Sequence, residues 1–598
     1  MSATVLAGTL LVLGTWVLVS AVLTGAGLVV AHVIAPRCGV VTLLRVSLWW
    51  GLATATLLVL LVGLVAPLGS VEAGALIGGA LAVLALVGVL LLSRHHPLRF
   101  PDRRPRGSVW LVLVSLAFMT VYLAYKTLGP ATNYDTGLYH WGFVRYLSDF
   151  GNVPGLVNLF LPFGYANAQF PLAASLTSGP WQGEGWRLLN GLMVVLVLLE
   201  LLWRLLERRW TWGTFTLLVG IAGVALPLVA MADSLIASPT SDTSVLLLTL
   251  VSTVYLVDAI DSRSLRSQSG RERLVLNLGV VVVVTGLTVA MRPTMLAYGA
   301  GVALVVAVVL WRQRTTFGVA GRATVLVGVS LPGLWLLAVG GLQVYRDYLL
   351  SGWLLYPLSI YSWDVPWLGR DPVNLRDATL AAARDPYAAD GYQVAHSWDW
   401  LGAWIARLPT QWEPWFILAS LIVLVTAGLW ARRVGRFPSR PRALLLALVP
   451  GALATVVWFV ASPPSFRFIW GPLFSMLFVV IGAAVLAVYR TGRSVTVMVA
   501  GAAIVVLAVT SFSALFRNLS SDYTGEAHWS LGPLNISYAL APVPEVPTRP
   551  ITTVTGLVIQ EPEYGDQCWA SYPLCTYSMG DRIGLMGDTI SDGFFTAP

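Results

Sequence analysis

The sequence predicts an all-α polytopic membrane protein with about fourteen transmembrane helices. Composition is the first reason, because 57% of the 598 residues are hydrophobic and 11% are charged, whereas soluble proteins carry roughly 25% charged residues. The second reason is the mean hydropathy of +0.76. The third is that long apolar runs alternate with loops that contain arginine, a pattern typical of membrane helices whose basic loops stay in the cytoplasm.

Most of the apolar runs approach the length of about 20 residues that a helix needs to cross a bilayer, although some are shorter. The alternation of basic loops supports the orientation more strongly than it supports the count. The predicted spans are residues 5–34, 41–65, 75–92, 109–125, 188–202, 214–229, 245–257, 275–289, 296–310, 325–342, 416–429, 444–460, 468–488 and 495–513.

The loop charges predict how the chain is oriented. No basic residue precedes the first run, which indicates a retained helix, since a secretory signal begins with a positive segment. Arginines then recur in every second loop, starting with Arg37 and Arg45. This places the N-terminus, the tail and two large loops, 127–186 and 345–414, outside. Because the basic residues are spread over short inner loops, the net charge of +8 does not indicate nucleic acid as a partner.

Three regions follow from this pattern. Residues 1–107 contain three N-terminal transmembrane helices, and residues 108–516 form the transmembrane core with the large outer loops. Residues 517–598 have short apolar stretches and many prolines, which predicts a small outer lobe. Within it, the β-rich run 552–559 is predicted to form one strand.

The chain has three cysteines, too few for a disulfide scaffold or a cysteine-rich metal site. Cys568 and Cys575 lie close together in the predicted outer lobe. A disulfide between them is compatible with an oxidising compartment, and we expect this bond. The alternative is a pair of free buried thiols.

The stretch 132–141 stands out because it combines an acid, an imidazole, two phenols and an indole directly after the run 109–125. Apolar residues then recur every three positions from Leu138 to Phe150, which predicts an amphipathic helix lying in the membrane interface. Two interpretations of Asp135 remain open. It could cap this helix, since aspartate is favoured at that position, or it could act on a membrane-borne substrate.

Polar residues also recur in the predicted outer segments, most of them at or near a helix end, where ionisable groups close to apolar runs are usually functional. These residues are Tyr134, Asp135, His140, Ser241, Asp242, Arg292, Tyr345, Arg346, Asp347, Asp364 and Arg467. Arginine binds phosphate bidentately, and a carboxylate takes a proton from a hydroxyl group. The combination is suited to transfer of a sugar from a polyprenyl phosphate. The sequence contains no Walker, GxSxG or HExxH pattern that indicates other chemistry.

The layout resembles the C-type (GT-C) glycosyltransferase superfamily, and a bacterial branch near it, through residues 134–170, 238–242, 350–357 and 565–575. The resemblance implies a multi-pass enzyme of the bacterial plasma membrane with its active site facing outside. It implies an inverting transfer from a polyprenyl-phosphate sugar to an extracytoplasmic glycan, lipid or protein acceptor.

The resemblance also suggests roles for individual residues. Asp135 corresponds to the essential acid of the first outer loop, and Asp242 corresponds to the second acid. Arg467 matches the late outer arginine that meets the donor phosphate. We expect Tyr134, His140 and Arg292 to bind donor or acceptor; His140 lies five residues after Asp135, which on an α-helix places it about 140° away. The first site lacks an acidic pair, so a divalent metal is neither required nor excluded.

Three other functions compete with glycosyl transfer. A transporter or flippase for lipid-linked substrates would carry ionisable residues near mid-membrane, whereas the interiors of the predicted spans are nearly free of charge, with Glu200 toward an inner end. An O-antigen-type polymerase or ligase would use a related lipid-linked donor. A structural membrane scaffold would leave the outer polar residues unexplained.

Overall fold

The computed structural model describes residues 3–95, 107–207, 210–262, 267–314, 319–433, 441–462, 464–490, 523–577 and 582–597. It is a helix bundle with a small β-containing lobe at its C-terminal end. Within these residues, eleven helices are long and apolar enough to cross a bilayer, or up to twelve if one bent pair forms a single span. The chain is therefore a multi-pass α-helical membrane protein.

The helices are α1 (Ala3–Ile34), α2 (Val40–Val62), α3 (Val71–His95), α4 (Gly107–Thr127), α5 (Trp141–Asp149), α6 (Gln169–Ala174), α7 (Leu188–Leu206), α8 (Trp212–Ala230), α9 (Ala232–Leu235), α10 (Ser241–Ile260), α11 (Gln268–Met291), α12 (Leu296–Gln313), α13 (Val319–Ser351), α14 (Val373–Arg384), α15 (Gly391–His396), α16 (Leu401–Arg407), α17 (Trp412–Arg433), α18 (Pro441–Ala461) and α19 (Trp470–Tyr489).

Three predicted spans account for the lower number of spanning helices. The run 495–513 lies outside the described residues. In α4, Val112–Thr127 is the apolar helix found among the described side chains, and it has fewer residues than a crossing needs. The run 416–429 lies in α17, which passes as a span only together with Leu401–Thr410, from which it is bent by 72°. The count of fourteen therefore stays a prediction.

The spans are arranged around α10. In its apolar 18-residue stretch, 94% of the residues are buried, and α10 packs against α8, α11 and α19. The N-terminal helices α1, α2 and α3 pack on one another, and α2 also contacts α7 and α11. Because α10 is long enough to cross a bilayer, its first turn lies at one end of the bundle and its last turn at the other, about 24 Å away at 1.5 Å per residue.

Charged side chains meet at the end of the bundle toward which Glu200 of α7 lies. Arg45 and Arg204 both bind the buried Glu200 carboxylate, at 3.1 and 2.6 Å, and Arg204 also binds Asp258 at 2.7 Å. Trp49 Nε1 and Tyr255 Oη donate to the other Glu200 oxygen, at 2.9 and 2.8 Å. These pairings join helices far apart in sequence, which a scan of single spans does not reveal.

A helical segment follows α4 at the opposite end, as the amphipathic pattern predicts. It begins as a π-helical turn, Thr136–His140, and continues as α5. We call Thr136–Asp149 the 136–149 helix. The second large loop contains the short helices α14, α15 and α16, and Trp404 of α16 donates to the Pro464 carbonyl at 2.9 Å.

The C-terminal lobe, residues 523–577 and 582–597, contains three antiparallel hairpins within the described residues. Its strands are β1 (Gly525–Leu531), β2 (Leu534–Leu540), β3 (Thr548–Thr552), β4 (Val558–Pro562), β5 (Ile583–Leu585) and β6 (Phe594–Thr596). The single strand predicted over 552–559 was wrong. Thr552 ends β3 and Val558 begins β4, and the turn between them contains Gly556 with φ +84°, a conformation that favours glycine.

Candidate functional site

Residues from four chain segments meet beside the start of the 136–149 helix. Asp135 ends the turn after α4, and Arg467 lies in a 3₁₀ turn just before α19. Arg467 Nη2 donates to Asp135 Oδ2 at 3.0 Å. The pair is partly open to solvent, because 40% of the Arg467 side chain and 19% of the Asp135 side chain are exposed. We call Asp135, His140, Asp242, Arg292 and Arg467 the polar site.

A second ion pair lies next to the first. Arg292, at the end of α11, pairs with Asp242 in the first turn of α10 and donates to Ser241 Oγ at 2.9 Å. Its Nη1 also donates to the Arg467 carbonyl at 3.4 Å, so the two pairs are linked. Only 13% of the Arg292 side chain is exposed. Arg292 is therefore committed to protein partners, whereas Arg467 keeps an accessible face.

His140 joins the polar site because the turn before it is π-helical. The Trp141 N–H bonds to the Thr136 carbonyl, five residues back, so residues five apart stack more closely than they do on an α-helix. Burial lowers the pKa of His140 to about 4, against the opposing influence of the Asp135 and Asp242 carboxylates. The imidazole is thus neutral at physiological pH, and its Nδ1 has no hydrogen-bond partner among the described residues.

Aromatic rings enclose His140 and the arginines. The Tyr139 and Phe170 rings lie 4.4 and 5.3 Å from the His140 ring centroid. The guanidinium groups of Arg292 and Arg467 lie 5.4 and 5.0 Å from the Phe468 ring centroid. Such cation–π contacts orient arginine without consuming its N–H donors.

Buried amides fix the segment that carries Asp242. Asn190, in the first turn of α7, donates to the carbonyls of Leu235, Ser238 and Thr240 at 2.7–2.9 Å. Its own carbonyl accepts from Gln169 at 2.9 Å. The sequence analysis missed Asn190 and Gln169. A lone amide close to the start of an apolar run was the available signal, since such a group needs internal partners.

Tyr134 is the predicted site residue that does not join the polar site. Its side chain is 56% exposed, and its hydroxyl donates to Asp566 in the C-terminal lobe. Gln567 also donates to the Tyr134 carbonyl at 2.7 Å. Tyr134 therefore ties the start of the 136–149 helix to the lobe.

The loop closed by Cys568 and Cys575, which form a disulfide bond, covers the same helix. The Cys568 N–H donates to the Gly137 carbonyl at 3.2 Å. A Cβ at Gly137 would lie 2.1 Å from Trp569 Nε1, so only glycine permits this approach. Farther along the helix, Tyr146 Oη donates to the Pro573 carbonyl. The loop thus holds both ends of the helix that begins beside Asp135.

The structure decides between the two interpretations of Asp135 as far as geometry is concerned. Its side chain makes no capping hydrogen bond to the helix and pairs with Arg467 instead. The local turn is formed by Asn133, which accepts the Asp135 N–H through Oδ1 at 3.0 Å. Capping is therefore not the role of the Asp135 carboxylate.

The residues of the polar site do not form a metal-binding set. Each of its two carboxylates is paired with an arginine. In the described part of the chain, no group of three or more His, Cys, Asp or Glu side chains is placed to hold a metal ion.

The remaining outer candidates lie elsewhere. Arg346 donates to Asn152 Oδ1 at 3.0 Å and to the Asn167 carbonyl at 2.8 Å. Asp347 accepts backbone N–H groups of Ala166 and Tyr356. Both residues thus hold the first outer loop against the end of α13, whereas Asp364 is exposed in the second loop.

Comparison with known proteins gives one match. A family model described as "Domain of unknown function (DUF8201)" matches residues 10–474, which is more than half of the chain and includes the whole polar site. No curated protein and no solved structure matches the chain.

Proposed function

Since the chain belongs to the family described as "Domain of unknown function (DUF8201)", which states no activity, we propose from the polar site that it is an integral-membrane glycosyltransferase using a polyprenyl-phosphate sugar donor. The observation that carries the proposal is the pairing of a partly exposed arginine, Arg467, with a partly exposed carboxylate, Asp135, at 3.0 Å. The pair lies at a helix end, where a lipid-borne phosphate meets an aqueous acceptor.

Arg467 is the donor-phosphate ligand in this proposal. Guanidinium groups bind phosphate bidentately and stabilise the charge that develops as a phosphate leaves. The 40% exposure of the Arg467 side chain leaves donors for a substrate. Arg292 donates a hydrogen bond to the backbone carbonyl of Arg467, and it neutralises the charge of the buried Asp242 carboxylate.

Asp135 is the general base. It takes the proton of an acceptor hydroxyl while the acceptor oxygen bonds to the anomeric carbon. The bond from the anomeric carbon to phosphate breaks, and its electron pair leaves with the polyprenyl phosphate, which gives inversion. Binding of the phosphate to Arg467 draws the guanidinium away from Asp135, so the donor itself frees the base for the acceptor.

His140 contributes a neutral hydrogen-bonding group rather than a charge. Its pKa of about 4 keeps it uncharged at pH 7, so it cannot act as a third cation for the phosphate. The unpartnered Nδ1 is available to a hydroxyl of the transferred sugar. The acceptor class is an extracytoplasmic glycan, lipid or protein, and the proposed location is the bacterial plasma membrane with the polar site outside.

Donor binding by purified protein in nanodiscs tests the proposal, with a short-chain polyprenyl phosphate as the probe. Losing a charged hydrogen bond costs about 1.5–3 kcal/mol, so we expect Arg467→Gln to raise Kd about tenfold to a hundredfold. The matched control is Arg145→Gln, which breaks another partly exposed ion pair, to Asp149 at 2.9 Å. Equal Kd changes in the two variants would remove the argument for Arg467.

A further inference from the structure

A small pocket lies between the 136–149 helix and the C-terminal lobe, next to the polar site. The helix contributes Gly137 and Trp141 to its lining, and the lobe contributes Asp566, Trp569 and Thr576. Gly137 is two residues from Asp135 in sequence. The pocket therefore lies against the start of the helix that follows Asp135.

Two residues of the pocket lining carry a buried polar atom without a partner. Trp141 Nε1 and Thr576 Oγ1 are buried and make no hydrogen bond with any described residue. Their side chains belong to residues that are 8% and 2% exposed. Because buried polar groups are nearly always hydrogen-bonded, such a pair of groups in one pocket indicates a missing polar partner.

The size of the pocket limits that partner. The cavity volume is about 20 Å³, enough for one water-sized group. A hydroxyl fits this requirement, since it accepts from an indole N–H and donates to a threonine oxygen at the same time. An apolar lipid or peptide group would leave both protein atoms unpaired.

The rim of the pocket has the surface that a carbohydrate site needs. Phe160, Phe163 and Tyr572 complete the wall of the cavity itself, which has room for a single hydroxyl group. At the rim, the Asp566 carboxylate bonds to the Tyr134 hydroxyl, and Tyr577 is 40% exposed. A ring therefore finds exposed aromatic surface and a carboxylate for its remaining hydroxyl groups.

We propose that this pocket is a saccharide subsite that binds the acceptor, with one sugar hydroxyl between Trp141 Nε1 and Thr576 Oγ1. The assignment rests on the proposed glycosyl transfer for its role, and on the pocket alone for its ligand class. It limits the acceptor to a hydroxyl-rich glycan rather than a lipid or a peptide. The C-terminal lobe then selects the acceptor, while the transmembrane helices hold the donor.

Saccharide binding without any donor tests the ligand class. Saturation-transfer NMR on nanodisc protein would use a panel of soluble disaccharides built from glucose, galactose, mannose and arabinose. We expect at least one to bind, and Trp141→Phe and Thr576→Val to weaken it about tenfold, the cost of one lost hydrogen bond. Trp400→Phe is the matched control, because its indole Nε1 is also buried and unpartnered but lies outside the pocket.

Melting temperatures of the variants separate binding from folding. No binding from the whole panel, or unchanged binding in both folded pocket variants, would overturn the proposal and leave water as the occupant. In a transfer assay we expect Trp141→Phe to raise the acceptor KM with kcat unchanged. Sugar transfer by Trp141→Phe with an unchanged acceptor KM would contradict the acceptor subsite but not the glycosyl transfer. Saccharide binding at the pocket in a protein that consumes no donor would contradict the glycosyl transfer but not the subsite.

Discussion

Replacement of Asp135 by asparagine separates catalysis from structure. Asparagine keeps the size of the side chain and an oxygen that accepts from Arg467, but it cannot take up a proton. The capping role is absent, because the Asp135 side chain makes no bond to the helix start. The structural cost of Asp135→Asn is therefore limited to the ion pair with Arg467.

The magnitudes of the two effects differ enough to tell them apart. The pair is 19% and 40% exposed, and such ion pairs contribute about 0.2–1 kcal/mol. Loss of a general base lowers the rate about 10²–10⁴-fold, which corresponds to roughly 3–5.5 kcal/mol in the activation barrier. A destabilisation below 1 kcal/mol leaves the protein folded and cannot produce that rate loss.

The assay is sugar transfer from a synthetic polyprenyl-phosphate sugar by purified protein in nanodiscs. We expect Asp135→Asn to lower kcat at least a hundredfold, with an unchanged or lower donor KM, since a neutral amide competes less with phosphate for Arg467 than a carboxylate does. Glu561→Gln is the control, because Glu561 pairs with Arg549 in the C-terminal lobe and 24% of its side chain is exposed. A folded Asp135→Asn protein with near-normal kcat would refute Asp135 as the base.

Three further predictions concern the charge state of the site, the lobe and the orientation of the chain. Because the folded pKa of His140 is about 4 and its ordinary value is 6.5, the unfolded state binds the proton first as pH falls. The folded protein therefore loses roughly 3 kcal/mol of stability through His140 as the pH falls from 6.5 to 4. The melting temperature of His140→Gln should fall less than that of the wild type between pH 7 and 4.5, and equal falls would contradict this. Cys568→Ser opens a short loop and should cost about 2–3 kcal/mol, seen as a lower melting temperature that reduction of the wild type reproduces; an unchanged melting temperature would speak against it. Ser530 in the lobe and Ser93 at the end of α3 are both exposed. With a membrane-impermeant maleimide, Ser530→Cys should react in intact cells and Ser93→Cys only after permeabilisation; the opposite result would contradict the predicted orientation.

Properties that depend on local sequence could be predicted. Hydropathy over a window is enough to place helices in a bilayer, and the spacing from Leu138 to Phe150 is enough to predict the 136–149 helix. The position of Asp135, Asp242, Arg292 and Arg467 beside apolar runs marked them as candidates, because ionisable groups are costly there.

Properties that depend on distant partners could not be predicted. The Glu200 carboxylate binds Arg45, 155 residues away, and the sequence contains no signal for that pairing. Tyr134 precedes Asp135 in sequence and was predicted to share its site, but its hydroxyl donates to Asp566, 432 residues away. The π-helical turn before His140 has no local sequence signal, and it changes which residues share a face.

The most direct test of the central claim is the fate of the lipid carrier. Nanodisc protein would be incubated with a polyprenyl-phosphate sugar and a glycan acceptor, and the lipid products would be measured by mass spectrometry. The account predicts that wild-type protein releases free polyprenyl phosphate together with an extended glycan, and that Asp135→Asn releases neither. Intact donor in the presence of folded wild-type protein, with the same lipid moved across the membrane of proteoliposomes, would contradict glycosyl transfer and establish a flippase.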